Sequence, residues 1–103
     1  MRDYELIMII SPEIDEEELL ATIEKVNGFI TSKGGEIIEV DQWGKRKLAY
    51  PINRFREGNY VLDRFKLTQG LTAELEASLQ ISEKILRHLL VRLDNQKPAE
   101  GKS

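Results

Sequence analysis

No cysteine occurs among the 103 residues. That absence excludes disulfide scaffolds, thiol catalysis and cysteine-based zinc sites, and it fits a reducing compartment. Histidine is nearly absent too, with His88 alone. A lone histidine in an apolar stretch (I-L-R-H-L-L-V) is expected to be packed and hydrogen-bonded, not catalytic. The longest apolar run, Leu6 to Ile10, is far too short to span a bilayer. Asp3 and Glu5 stand where a basic leader and apolar core would be needed, so no signal peptide is expected. Phosphate loops, dinucleotide fingerprints and a serine elbow are missing, and the acidic run near Glu16 lacks the spacing and glycine of a calcium loop. The residues offer no foundation for an enzyme, a metal, a cofactor or a small-molecule substrate.

What is present is charge, unevenly laid out. The formal net charge is -3. Residues 1–41 carry three cations against eleven acids, residues 45–66 seven against two, and residues 67–103 five against five. A basic middle in an acidic chain points to a polyanion-facing surface. Its centre is Asp41 to Asn53, D-Q-W-G-K-R-K-L-A-Y-P-I-N. Lys45, Arg46 and Lys47 lie between Trp43 and Tyr50, Gly44 interrupts the run and Pro51 ends it. Cations neutralise phosphates, and flat rings stack on bases or on a partner.

Periodicity supplies the scaffold. Tyr4 to Ile10 reads as a buried strand. Ser11 and Pro12 are placed to cap and open a helix whose stripe is Leu19, Ile23, Val26 and Ile30, with acids crowding its first turns to complement the macrodipole. Gly34-Gly35 is its stop. Glu36 to Tyr50 reads as a long strand in which Ile38 and Val40 alternate with Glu39 and Asp41, and Gly44 marks a bulge. Asn53 to Asn59 is expected to be the hairpin turn, with Gly58 taking positive φ. Tyr60 to Leu67 returns. Asp63 falls in phase with Val61, Phe65 and Leu67, so either a bulge lies there or both faces are partly covered. Leu71, Leu75 and Leu79 mark a second helix, Leu71 to Gln80, and Ile85 to Leu93 is the last strand.

This order, β-α-β-β-α-β, predicts an α+β ferredoxin-like sandwich: a four-stranded antiparallel sheet with two helices on one face. The expected domain is residues 1–95, with a flexible tail at 96–103. The open face carries apolar residues such as Ile7 and Ile9, which another molecule would cover. Base reading across that face is not expected. Against the third-strand signature of the RNA recognition motif, Glu57 to Arg64 matches only at Gly58 and Leu62. Contacts to RNA backbone and shape remain. A protein-interaction domain or a small-ligand regulatory domain without RNA binding is the alternative on the same fold.

Two motifs carry a resemblance over nearly the whole chain. The opening M-R-D-Y-E (Met1 to Glu5) and the run W-G-K-R-K-L-A-Y-P-I (Trp43 to Ile52) resemble the bacterial small-subunit ribosomal protein six family. The resemblance implies a non-enzymatic role in the cytoplasmic ribosome. It implies binding to the central domain of small-subunit ribosomal RNA, paired with small-subunit ribosomal protein eighteen. It makes Arg2, Lys45, Arg46, Lys47, Arg87 and Arg92 the expected RNA contacts. Tyr4, Trp43 and Tyr50 are the expected stacking or partner contacts.

Overall fold

A computed structural model describes residues 1–93. The elements are β1 (Arg2–Ile10), α1 (Glu16–Ser32), β2 (Glu36–Ile52), β3 (Phe55–Leu67), a 3-10 turn (Gln69–Leu71), α2 (Thr72–Gln80) and β4 (Ile85–Arg92). The strands form one sheet in the order β2-β3-β1-β4, and every pairing is antiparallel. This is the ferredoxin-like plan. The expected domain end at residue 95 and the tail at 96–103 lie outside the described residues.

Alternation along β1 sends Tyr4, Leu6, Met8 and Ile10 to the helix side, where all four are buried. Val61, Phe65 and Leu67 of β3 join them, and Leu19, Ile23, Val26 and Ile30 of α1 with Leu75 and Leu79 of α2 close the core from above. Fully burying one such aliphatic side chain is worth about 1.5–3 kcal/mol, so this single layer carries the stability of the fold.

Local signals misplaced the ends. Asp15, not Ser11, caps α1: its Oδ1 accepts from the Glu18 N–H at 2.8 Å. Ser11 instead fastens the end of β1 to β3 and to the residue that precedes β4. Its N–H donates to the Lys84 carbonyl (2.8 Å), and its own carbonyl accepts from Asn59 Nδ2 (3.0 Å). The hairpin turn is only Asn53-Arg54, both at positive φ (50° and 70°), so β3 begins at Phe55. Gly58 is extended and serves close approach instead, since a Cβ there would lie 2.5 Å from Ile9 Cγ2.

Phase is also corrected on β2. The register slips between Ile37 and Glu39, so Ile38 is the extra residue of a bulge. Ile37 packs on the core, and Ile38 is exposed. On β3 there is no bulge at Asp63: pairing with β1 is unbroken from Arg2↔Leu67 to Ile10↔Asn59. Asp63 therefore points into the core, 0% exposed, with neither carboxylate oxygen hydrogen-bonded among the described residues.

Burial pushes the Asp63 carboxyl up from 3.8 to about 7, because a charged form without partners is heavily penalised. The unfolded chain releases this proton near 3.8 and the folded chain near 7. Between those values the unfolded state binds fewer protons, so stability falls as pH rises, by a few kcal/mol in all. In urea unfolding at pH 5 and pH 8, Asp63→Asn is expected to remove most of this slope and to gain on the wild type as pH increases. Equal slopes in the two proteins would refute a buried acid.

Candidate nucleic-acid interface

The cations gather where the β2–β3 hairpin outruns its neighbours. β1 ends opposite Asn59, yet β2 and β3 continue through Lys45↔Asn59, Arg46↔Gly58 and Lys47↔Glu57 to Ile52↔Phe55. Beyond Asn59 the two strands form an arm with no third strand beside it. Gly58 lets this arm curl over Ile9, the close approach a side chain would block. The curl brings Tyr50 of β2 across to β4, where its hydroxyl accepts from the Arg87 guanidinium. The Arg87 Cζ lies 5.7 Å from the Tyr50 ring centroid.

The expected bulge at Gly44 is present. The register slips between Gln42 and Gly44, and Gly44 has φ +87°. Trp43 is the residue left over. Its ring stacks on Tyr60 (centroids 6.3 Å apart, planes 10° apart), and its Nε1 donates to Asp41 Oδ2 at 3.1 Å. The Arg46 Cζ stands 5.9 Å from the Trp43 centroid, a cation–π distance. This cluster occupies the sheet face away from the helices, because Tyr60 pairs with outward Ile9. Lys45 and Lys47 alternate to the other side of the arm. The expected split of the three cations between two faces holds in the register.

The candidate residues form two groups, not one. Lys45, Arg46, Lys47, Trp43, Tyr50 and Arg87 lie at the arm end of the sheet, since Arg87 pairs with Ile9. Arg2 and Arg92 lie at the opposite end, near Tyr4. With a rise of about 3.4 Å per residue, the length of β1 puts the two groups roughly 25 Å apart. Tyr4 itself is a correction. It is 4% exposed and stacks on Phe65 (5.7 Å) in the core, so its ring is not available to a partner. Strand alternation in phase with Leu6 and Met8 carried that signal.

Not every basic residue is available. Arg64 is held between Glu5 (3.2 Å) and Glu39 (3.3 Å) across three strands. His88, on the helix side, bonds Glu76 Oε1 at 2.9 Å, as a packed histidine should. Lys45 and Lys47 are exposed and have no ion-pair partner among the described residues. The rest of the open face is apolar at its centre, with Ile7 and Ile9 half-buried and Leu89 58% exposed. Sequence reasoning missed Tyr60 as the support of Trp43, because the pairing depends on a register that no local pattern states.

The model of the family described as ribosomal protein S6 matches residues 3–92. The chain belongs to that family. The small ribosomal subunit protein bS6 of Moorella thermoacetica is 43% identical over 96 residues, covering 93% of this chain and 98% of the relative. That of Clostridium novyi is 46% identical over 91 residues, covering 88% and 96%. The crystal structure of 30S ribosomal protein S6 from Thermotoga maritima superposes with a TM-score of 0.88 at 33% identity, covering 98% of this chain and 95% of the other. As a member of the S6 family the chain is a structural, non-enzymatic protein of the small ribosomal subunit, part of the cytoplasmic ribosome in bacteria.

Within this chain Trp43 is the sole tryptophan, so its fluorescence reports the stack directly. Tyr60→Leu is expected to shift that emission to the red and to cost about 0.5–1.5 kcal/mol, read by emission scans and urea unfolding. Unchanged emission would mean that Trp43 does not rest on Tyr60.

Proposed function

We propose that this S6-family chain binds the central domain of small-subunit ribosomal RNA as a pair with small-subunit ribosomal protein eighteen. The observation that carries this reading is the hairpin arm, whose Lys45 and Lys47 stand exposed and without an ion-pair partner among the described residues of an otherwise acidic chain. Cations that the fold leaves unneutralised are those that release counterions on meeting phosphate. Lys45, Lys47 and Arg46 take the backbone at the arm, with Arg87 beside them. Arg2 and Arg92 take it at the far end of the sheet. Trp43 and Tyr50 are then contacts for the partner or for a base. The open face suits a basic protein: an apolar centre at Ile7, Ile9 and Leu89, flanked by the carboxylates of Glu5, Glu39 and Asp41. Complementary charge steers such a pairing, and the apolar centre holds it. A net charge of -3 argues that the chain alone binds RNA weakly and needs its companion.

The test is a titration of a central-domain RNA fragment with the chain, with and without ribosomal protein eighteen, at two salt concentrations. Tight binding is expected only with the partner. Arg46→Ala is expected to weaken it several-fold and to lower the salt slope by about 0.7–0.9. A folded chain that pairs with protein eighteen, while neither mixture binds RNA, would leave a protein-interaction domain in place of this reading.

A further inference from the structure

The register of the hairpin breaks once more near its tip. Lys47 pairs with Glu57 and Ile52 with Phe55, so the four residues Leu48 to Pro51 of β2 stand against Arg56 alone. The surplus chain forms a bow in β2, and Pro51 has no N–H to pair with β3. Between the bow, the tip and the Pro12-Glu13 turn lies an open cleft of about 750 Å³. Lys47, Arg54 and Arg56 line it, with Tyr50 and Phe55 among its walls and Glu13 and Glu57 as its carboxylates. None of the three cations has an ion-pair partner among the described residues. Residues 45–57 as a whole hold five cations against one acid.

Arg54 stands out for its backbone. A two-residue hairpin turn with positive φ at both centres favours Asn-Gly. Asn53 (φ 50°) fits the first place, but Arg54 (φ 70°) occupies the second, where a Cβ is disfavoured. The fold gains no visible return, because Arg54 is exposed and has neither a hydrogen bond nor an ion pair among the described residues. A strained residue without a partner in the fold points to a contact outside it.

We infer that the hairpin tip is an RNA-backbone site of its own, in which Arg54 and Arg56, with Lys47, hold phosphates in the cleft. This extends the RNA-binding reading above and rests on it. Guanidinium forks suit bidentate contact with phosphate oxygens, and the flat walls of Tyr50 and Phe55 admit a sugar or base beside them without reading it. The site does not use the Arg46 and Trp43 cluster, which lies on the open face.

Arg54→Gly separates this from a structural role. Glycine relieves the turn, so the variant is expected to melt a few degrees higher. With protein eighteen present, it is expected to bind the central-domain RNA about 3- to 10-fold more weakly, with a salt slope smaller by about 0.7–0.9. Arg54→Lys should keep most of the affinity, and Arg56→Gln should repeat the loss without the gain in melting. Undiminished RNA binding by both Arg54→Gly and Arg56→Gln, while Arg46→Ala weakens it, would overturn the tip site and leave the RNA-binding reading standing. A lower melting point for Arg54→Gly, or a loss of pairing with protein eighteen in the absence of RNA, would overturn it too. If the wild-type pair binds no RNA, both readings fall together.

Discussion

The unbroken ladder between β1 and β3 decides where every functional side chain stands. It runs from Arg2↔Leu67 to Ile10↔Asn59 without a slip. Because side chains alternate with a period of two, that register alone puts Tyr4, Leu6 and Met8 under the helices and Ile7 and Ile9 on the open face. It also fixes where support ends. β1 stops at Ile10, Asn59 ties back to Ser11, and Ser11 ties to Lys84. Past that clasp the hairpin belongs to β2 and β3 alone, and the basic run falls on the unsupported part. A slip of one residue would send Phe65 outward and Arg64 into the core, so selection for the core also holds the interface in place.

Much of this was legible because it follows from period. The alternation of β1, the stripe of α1 and the leucines of α2 announced which residues would be buried, and the order of elements announced the sheet. The ends were less legible, for a physical reason. Ser11, Asp15 and Pro12 are all good residues for a helix start, and only packing chose among them. Gly58 offered positive φ, but the tertiary fold needed it bare against Ile9 and left the turn to Asn53 and Arg54. Gly44 announced one bulge of β2, at Trp43, but the bulge at Ile38 carries no such glycine, and the two together invert the phase of the strand twice. The basic character of the candidate site was visible in composition. Its division between the arm and the Arg2–Arg92 end was not, because only the antiparallel register sets those distances.

Charge in this chain is spent in two ways. Lys33–Glu74 (3.3 Å), Lys84–Glu18 (3.5 Å) and the Arg64 bridges sit on the surface, where such pairs contribute little to stability. Their effect is to neutralise cations away from the arm. The unpaired cations are therefore concentrated on the hairpin, while Glu5 and Glu39 hold Arg64 at the middle of the open face. One small sheet can then offer different chemistry at its arm and at its open face without a second domain.

Two residues break the rules of their positions, and they do so differently. Arg54 carries its strain at the surface, in a turn that glycine would fill more easily, and its side chain remains free to act on a ligand. Asp63 carries its penalty in the core, where it pairs across to Leu6 on one side and Val40 on the other and finds no hydrogen bond among the described residues. A surface strain can be exchanged for binding, since the guanidinium reaches outside the fold. A buried carboxyl reaches nothing outside, so near neutral pH its protonation state can alter only the stability of the sheet beneath the arm. Local departures from ideal sequence are expected at functional sites. By that argument Arg54 belongs with the proposed tip site, and Asp63 with the limits of the scaffold.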